Sequence, residues 1–144
     1  MEEFDKTTKC RVLVVEDDFA QRNLFTEVLD ADHVSVIGVL SAAEALETLQ
    51  TAGHVDLLVT DIRLIGETNG FELAAQARHI QQNLKVMFVT GHPHEVVYEQ
   101  RSADRHAEIM FKPFKLSDFA QRVGSLLEDL PCHTTWLALS RAKG

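Results

Sequence analysis

The chain has 144 residues, of which 45% are hydrophobic and 25% are charged, and its formal net charge is -8. This length favours one domain with a real core, and the composition is typical of a globular protein. The acidic balance argues against a nucleic-acid surface, because neutralising phosphates requires lysine and arginine. The chain contains no apolar run long enough to span a bilayer, so we expect no membrane association, and its acidic, polar N-terminus is unlike a signal peptide.

The two cysteines predict a reduced chain. Cys10 and Cys132 lie near opposite ends of the sequence and form no CxxC pair. Disulfides are rare where cellular thiols are kept reduced, so two widely separated cysteines are most simply interpreted as free thiols. We therefore expect a cytoplasmic protein without a disulfide.

Segments typical of strands and helices alternate along the chain. Apolar runs predict strands at residues 11–15, 33–39, 55–60, 85–90 and 108–111. Helical spacing of apolar side chains predicts helices at residues 20–31, from Ser41 to about Gly53, and at 71–81, 95–103 and 117–130. Ser41 with Glu44 forms a capping box, Gly53 is the expected stop of that helix, and Ser117 is the expected N-cap of the last one.

This alternation predicts the fold class. Continuous apolar strands between amphipathic helices indicate a parallel sheet that is covered on both faces. Right-handed crossovers leave few topologies for about five such units. We expect an α/β fold, namely a doubly wound five-stranded parallel sheet with helices on both faces, of the flavodoxin-like type.

Residues 12–18, VLVVEDD, place Glu16, Asp17 and Asp18 at the end of an apolar strand. Such like charges repel, so the cluster is either exposed to solvent or binds a cation. Asp18 is expected to begin the following helix, where a negative charge suits the helix dipole. The cluster alone does not decide between the two interpretations.

Polar residues at other strand ends favour the cation. In an open α/β sheet the carboxyl ends of the strands share one edge, where ligands bind. The residues that this rule brings together are Glu16, Asp17, Asp61, Thr90 and Lys112. Carboxylates suit Mg²⁺, and a carboxylate is also a nucleophile that forms an aspartyl phosphate. A lysine and a hydroxyl would neutralise and bind phosphoryl oxygens.

The motifs VLVVEDD, DLLVTDIRL, VMFVTGH and FKPF, in this order, resemble the receiver domain of two-component response regulators. The resemblance covers about residues 10–130, so we divide the chain into a receiver domain at 1–131 and a C-terminal extension at 132–144. It implies that Asp61 is the phosphoacceptor and that Glu16 and Asp17 bind Mg²⁺ together with Asp61 and the backbone carbonyl of Arg63. It also implies that Thr90 is the switch hydroxyl and Lys112 the phosphate-binding lysine.

Three positions depart from the family pattern. Ile65 replaces the usual proline four residues after the phosphoacceptor, and Gly70 lies one residue later than the usual glycine. Ile109 replaces the aromatic switch residue that usually lies three positions before the lysine. Residues 88–91, FVTG, resemble the F-A-T-G motif of a subgroup that also lacks the aromatic residue. The usual coupling between threonine and aromatic ring is therefore not expected here.

The resemblance implies a single-domain response regulator that is not an enzyme. It would take its phosphoryl group from a histidine kinase or a histidine phosphotransfer protein and signal to a downstream protein through the face of residues 94–128. The extension is too short for a DNA-binding domain; it is either a frayed tail or an additional helix. The alternatives are a pseudo-receiver, which is a constitutive interaction module without phosphorylation, and a receiver taken from a larger hybrid kinase.

Overall fold

The structure, a computed structural model, describes residues 9–93, 107–134 and 137–138. The helix predicted at 95–103 lies outside these residues, as does the 94–106 part of the predicted partner face. Within the described ranges, no helix has both the length and the apolar character that a bilayer span requires.

The sheet contains five parallel strands in the order β2-β1-β3-β4-β5. The strands are β1 (Cys10–Val15), β2 (Val34–Val39), β3 (Leu57–Asp61), β4 (Lys85–Thr90) and β5 (Glu108–Phe111). The described helices are α1 (Phe19–Leu29), α2 (Ala42–Thr51), α3 (Gly70–Ile80) and α4 (Leu116–Glu128). The predicted fold class is confirmed, and the strand order reverses between β1 and β3, which places a crevice at their carboxyl ends.

Two apolar clusters cover the two faces of the sheet. Successive residues of a strand point to opposite faces, so Leu13 and Leu58 pack with α2 and α3, whereas Val12 and Leu57 pack with α1 and α4. These strands are buried on both faces, which explains why their sequences are continuous apolar runs rather than alternating ones.

The first two helices begin where the sequence predicts. Asp18 is the N-cap of α1, and its Oδ1 accepts a hydrogen bond of 2.8 Å from the backbone N–H of Gln21. Ser41 caps α2 by accepting from the N–H of Glu44 at 3.2 Å. The carboxylate of Glu44 accepts from the N–H of Leu40 at 3.0 Å rather than from that of Ser41, so only one half of the predicted capping box forms. Each bond satisfies a donor near a helix start that the helix itself leaves unpaired.

The boundaries around β3 are also set by local signals. Gly53 follows α2 with φ of +90°, a conformation that glycine adopts without strain, and the predicted stop is confirmed. Asn69 forms an unpredicted capping box with Glu72, through bonds of 2.9 Å and 3.3 Å. This box fixes Gly70 as the first residue of α3.

The predicted N-cap of the last helix is wrong. The helix α4 begins at Leu116, and its N-cap, Lys115, makes no side-chain capping bond. Ser117 is already helical and its side chain is exposed. Leu116 packs on the core, and this tertiary contact sets the first residue of the helix without a capping side chain. The predicted apolar stripe is buried and consists of Phe119, Val123, Leu126 and Leu127.

The prediction of two free thiols is also wrong, because Cys10 and Cys132 form a disulfide with their Cα atoms 5.0 Å apart. The physical reason lies in the topology. Helices in a doubly wound fold run opposite to the strands, so α4 returns the chain to the edge where β1 begins. Residues separated by 122 positions in sequence therefore become neighbours. Residues 131–134, which include Cys132, are helical, so this part of the chain is an additional helical segment rather than a frayed tail.

Reducing this disulfide is expected to destabilise the domain. A bridge across 122 residues restricts the unfolded chain, which corresponds to at most about 4–5 kcal/mol in the chain-entropy description. Urea unfolding with and without a thiol reductant measures the difference. The Cys10→Ala/Cys132→Ala variant is the control and should not respond to the reductant. Equal midpoints for the native chain under both conditions would contradict the pairing.

Candidate functional site

The acid cluster after β1 divides into three environments. Glu16 is buried, with 2% of its surface exposed, whereas Asp17 and Asp18 are exposed. One carboxylate oxygen of Glu16 accepts from the backbone N–H of Asp18 at 3.1 Å. The Glu16 N–H donates to Val39 O at 3.0 Å, which continues the ladder between β1 and β2. The sheet therefore turns Glu16 inward and leaves Asp17 at the rim.

Lys112 joins the carboxyl ends of β1, β3 and β5. Its Nζ donates to Asp61 Oδ2 at 3.0 Å, to Glu16 Oε2 at 3.4 Å and to Gln21 Oε1 at 2.6 Å. An ammonium group has three donors, so these three acceptors match its capacity. The peptide bond that follows, between Lys112 and Pro113, is cis. The topology thus brings together the acids and the lysine that the strand-end rule selects.

Asp61 lies at the last position of β3, and 9% of its surface is exposed. Its Oδ1 accepts from the backbone N–H of Arg63 at 3.3 Å, which places the Arg63 backbone beside the carboxylate. One oxygen of the carboxylate is thus bound by Lys112 and the other by the main chain. The carboxylate is therefore held between Lys112 and the main chain with little of its surface exposed.

Gly70 packs directly against the backbone that carries Asp61. Its N–H donates to Ile62 O at 2.7 Å. A Cβ at this position would overlap the carbonyl oxygen of Asp61 and lie 2.9 Å from Ile62 Cα. Only glycine allows this approach. Gly70 lies one residue later than the glycine of the family pattern, but it still allows the start of α3 to pack against the backbone at Asp61.

Thr90, at the end of β4, is fully buried. Its hydroxyl oxygen accepts from the backbone N–H of His92 at 3.0 Å, and its carbonyl accepts from the N–H of Lys112 at 2.8 Å. The backbone contact ties the end of β4 to the residue that carries the ammonium group. Thr90 therefore lies at the same edge as Asp61 and Lys112, as the sequence predicts.

Burial raises the pKa of Glu16 from 4.5 to about 7, because desolvation disfavours its charged form. The N–H of Asp18 and the charge of Lys112 oppose this rise in pKa, while Asp61 and Asp17 add to it. Without a further cation, the ionised form of Glu16 is therefore less stable at this site than it would be in water. An additional positive charge nearby would stabilise it.

The donor atoms fit a hard divalent cation by type. The expected ligands are carboxylate oxygens of Glu16, Asp17 and Asp61 and a backbone carbonyl oxygen of Arg63, which are groups that Mg²⁺ prefers. Among the described residues, no three histidine, cysteine or acidic side chains are already arranged around a common metal position. Lys112 lies between Glu16 and Asp61 instead. The ligand set therefore stays a prediction.

Sequence reasoning missed two residues of α1 that contact the site. Gln21 accepts from Lys112, and Arg22 Nη1 donates to the carbonyl oxygen of Glu16 at 2.8 Å. Both lie in the first turn of the helix that follows the acid cluster. In a doubly wound fold this turn borders the ligand edge, so its polar side chains could have been selected by the same rule.

Two of the departures from the family pattern have distinct surroundings. Ile65 is 52% exposed in the loop after β3. Ile109 is partly buried and packs on the core cluster that contains Phe88. The aliphatic residue at 109 thus fills core space.

The structure is therefore a parallel doubly wound domain with acidic and lysine side chains in contact at the carboxyl edge of its sheet. Residues 12–124 match the model of the response regulator receiver domain. The chain belongs to this family. It is 34% identical to the response regulator receiver protein CpdR of Brucella abortus, over 81% of this chain and 96% of that protein.

Two further proteins are similar to this chain. The sensor kinase CckA of Brucella abortus is 30% identical over 86% of this chain, which spans only 13% of that kinase. The response regulator protein TrrA of Thermotoga maritima, solved in complex with Mg(2+)-BeF, superposes with a TM-score of 0.70 at 28% identity. This superposition covers 82% of this chain and 99% of that one.

Proposed function

We propose that this chain is a single-domain response regulator that accepts a phosphoryl group on Asp61 with Mg²⁺ and signals through altered protein contacts. The observation that carries the proposal is the 3.0 Å contact between Lys112 Nζ and Asp61 Oδ2 at the ligand edge of the sheet. The receiver domain would comprise residues 1–131 and the extension residues 132–144. Asp61 acts as an acceptor that keeps the group, so the chain is not an enzyme in this proposal.

In the transfer step, a carboxylate oxygen of Asp61 attacks the phosphorus of a phosphohistidine. The new P–O bond forms as the P–N bond breaks, and the electron pair leaves on the imidazole nitrogen. Lys112 stays protonated and turns from the carboxylate to a phosphoryl oxygen. The Thr90 hydroxyl would then donate to another phosphoryl oxygen. The phosphoryl group moves from an imidazole nitrogen of the donor to a carboxylate oxygen of Asp61. Positioning of these two atoms and neutralisation of the phosphoryl charge would therefore supply most of the rate acceleration.

The proposed metal ligands are Glu16, Asp17, Asp61 and the carbonyl oxygen of Arg63. When bound, Mg²⁺ would neutralise charge on the phosphoryl oxygens. A positive charge beside Glu16 would oppose the desolvation that raises its pKa, so a bound cation is compatible with the burial of this carboxylate. The Mg(2+)-BeF complex of TrrA supports the same metal for this family.

The proposed phosphodonor is a histidine kinase or a histidine phosphotransfer protein, since its imidazole must reach Asp61. Exposed apolar side chains of α1 beside the site offer a contact surface, with Phe19 69% and Leu24 46% exposed. A cavity of about 490 Å³ adjoins Lys112 and is lined also by Gln21, Phe25, Pro113 and Phe114. The downstream partner would use the 94–128 face, whose described part includes α4.

We place the protein in the cytoplasm, where such donors act. That compartment is reducing. The Cys10–Cys132 disulfide would persist there only if burial shields it from cellular reductants. Cys10 is fully buried and Cys132 is partly buried.

The metal part of the proposal predicts that Asp17→Asn weakens Mg²⁺ binding. The variant removes one negative ligand at the rim, so we expect a loss in affinity of about tenfold or more. Isothermal titration calorimetry with MgCl₂ measures it, and Asp30→Asn, an exposed acid at the far end of α1, is the control. Unchanged affinity in Asp17→Asn would sink the assignment.

Phosphorylation itself is tested by incubating the chain with a small acyl phosphate and Mg²⁺ and measuring its intact mass. A gain of one phosphoryl mass that is stable in acid and labile in base supports the proposal. A folded chain that binds Mg²⁺ but gains no mass would instead be a pseudo-receiver.

A further inference from the structure

Gln21 makes the shortest of the three described contacts of the Lys112 ammonium group. The distance from Nζ to Gln21 Oε1 is 2.6 Å, against 3.0 Å to Asp61 and 3.4 Å to Glu16. The two residues are 91 positions apart in sequence and lie on opposite sides of the site, on α1 and after β5. The lysine is therefore held from the helix side as well as from the acids.

The first turn of α1 is itself anchored. The backbone N–H of Gln21 donates to the capping oxygen of Asp18 at 2.8 Å. The next residue, Arg22, donates to the Glu16 carbonyl at 2.8 Å. Gln21 is also partly buried in the wall of the cavity beside Lys112. Because the backbone is fixed on both sides, the amide reaches Lys112 from a defined position.

A neutral acceptor at this place has a chemical advantage over a third carboxylate. The carboxylates of Glu16 and Asp61 change their partners when a cation or a phosphoryl group arrives. The amide oxygen keeps its charge and therefore its contact with the ammonium group through the transfer. A carboxylate at residue 21 would instead compete with the phosphoryl oxygens for the positive charge.

We propose that Gln21 is a positioning residue whose Oε1 holds the Lys112 ammonium group in place for the phosphoryl group on Asp61. The catalytic part of this inference rests on the proposed function. The part that concerns Lys112 does not, because it describes the side-chain contact in the unphosphorylated chain. Loss of Gln21 would let Lys112 move onto the carboxylates of Asp61 and Glu16.

The first experiment observes the Lys112 ammonium group by nitrogen-15 NMR without any phosphodonor. Lys112→Met assigns its signal by removing it. We expect Gln21→Leu to shift this signal and speed its proton exchange, while Gln76→Leu, an exposed glutamine of α3, leaves it unchanged. An unchanged Lys112 signal in Gln21→Leu overturns the proposal whether or not the chain is phosphorylated.

The second experiment is a double-mutant cycle on the rate of phosphorylation by an acyl phosphate at saturating Mg²⁺. We expect Gln21→Leu to slow the reaction about tenfold, the scale of one hydrogen bond to a charged group. In the Lys112→Met background the same change should have no further effect, because Gln21 acts through Lys112. Full multiplication of the two effects would show a separate structural role and overturn the proposal.

The two experiments separate the possible failures. A shifted Lys112 signal with no phosphorylation of the native chain refutes the proposed function and leaves the contact established. Phosphorylation of the native chain with an unchanged Lys112 signal in Gln21→Leu refutes the role of Gln21 alone.

Discussion

Lys112→Met is expected to slow phosphoryl transfer to Asp61 by about 100-fold or more, the scale of losing one preorganised donor to a developing negative charge. Methionine has a similar length and no charge, so the space beside Asp61 stays filled. The ammonium group that now lies 3.0 Å from Asp61 Oδ2 would be absent when negative charge accumulates on the phosphoryl oxygens.

The same change should leave the domain folded. Without Lys112 the acids Glu16 and Asp61 lose the cation between them. The pKa of Glu16 already stands at about 7, so this group can take up a proton rather than remain an unpaired buried charge. Stability of the variant is checked by urea unfolding alongside the rate.

The matched control is Lys115→Met, three residues along the chain, where the side chain is exposed and makes no capping bond. Intact-mass time courses with an acyl phosphate and Mg²⁺ give both rates. A rate for Lys112→Met within about twofold of the native chain would rule out the assigned role of this lysine.

Gly70→Ala is expected to damage the site through the backbone. The added methyl group would overlap the Asp61 carbonyl oxygen, and that backbone belongs to the end of a central strand. Either β3 or the start of α3 must move, which displaces Asp61 from Lys112. Overpacking of this kind destabilises a domain by roughly 1–3 kcal/mol, and a displaced acceptor reacts more slowly.

Gly124→Ala provides a control for which we expect a change in stability of the opposite sign. Gly124 lies within α4, and a Cβ there would meet no atom within 4 Å. Alanine in a helix should therefore raise the free energy of unfolding by about 0.5–1 kcal/mol. Urea unfolding of both variants measures the contrast, and equal stability of Gly70→Ala and the native chain would contradict the packing argument.

The fold was predictable because its signals are local. Each strand is a short apolar run, and the described helices carry an apolar stripe, so the alternation alone gives the doubly wound sheet. The same topology placed Glu16, Asp61, Thr90 and Lys112 at one edge without any knowledge of side-chain positions. The residues at strand ends predict the site well in this fold, because the carboxyl ends of parallel strands share one edge of the sheet.

Features that depend on tertiary packing were not predictable from these signals. The split between buried Glu16 and exposed Asp17 follows from how the chain turns after β1. The contact of Gln21 with Lys112 requires the spatial relation of α1 to the end of β5. The Cys10–Cys132 disulfide requires the return of α4 to the start of β1. None of these relations leaves a periodic trace in sequence.

The central claim is that Asp61 alone carries the phosphoryl group. The most direct test compares the native chain, Asp61→Asn and Asp56→Asn by intact mass after treatment with an acyl phosphate and Mg²⁺. Asp56 is a close control, since it adjoins the other end of β3 and is equally buried, with 9% of its surface exposed. We expect the native chain and Asp56→Asn each to gain one phosphoryl mass and Asp61→Asn to gain none. Equal labelling of Asp61→Asn would contradict the claim.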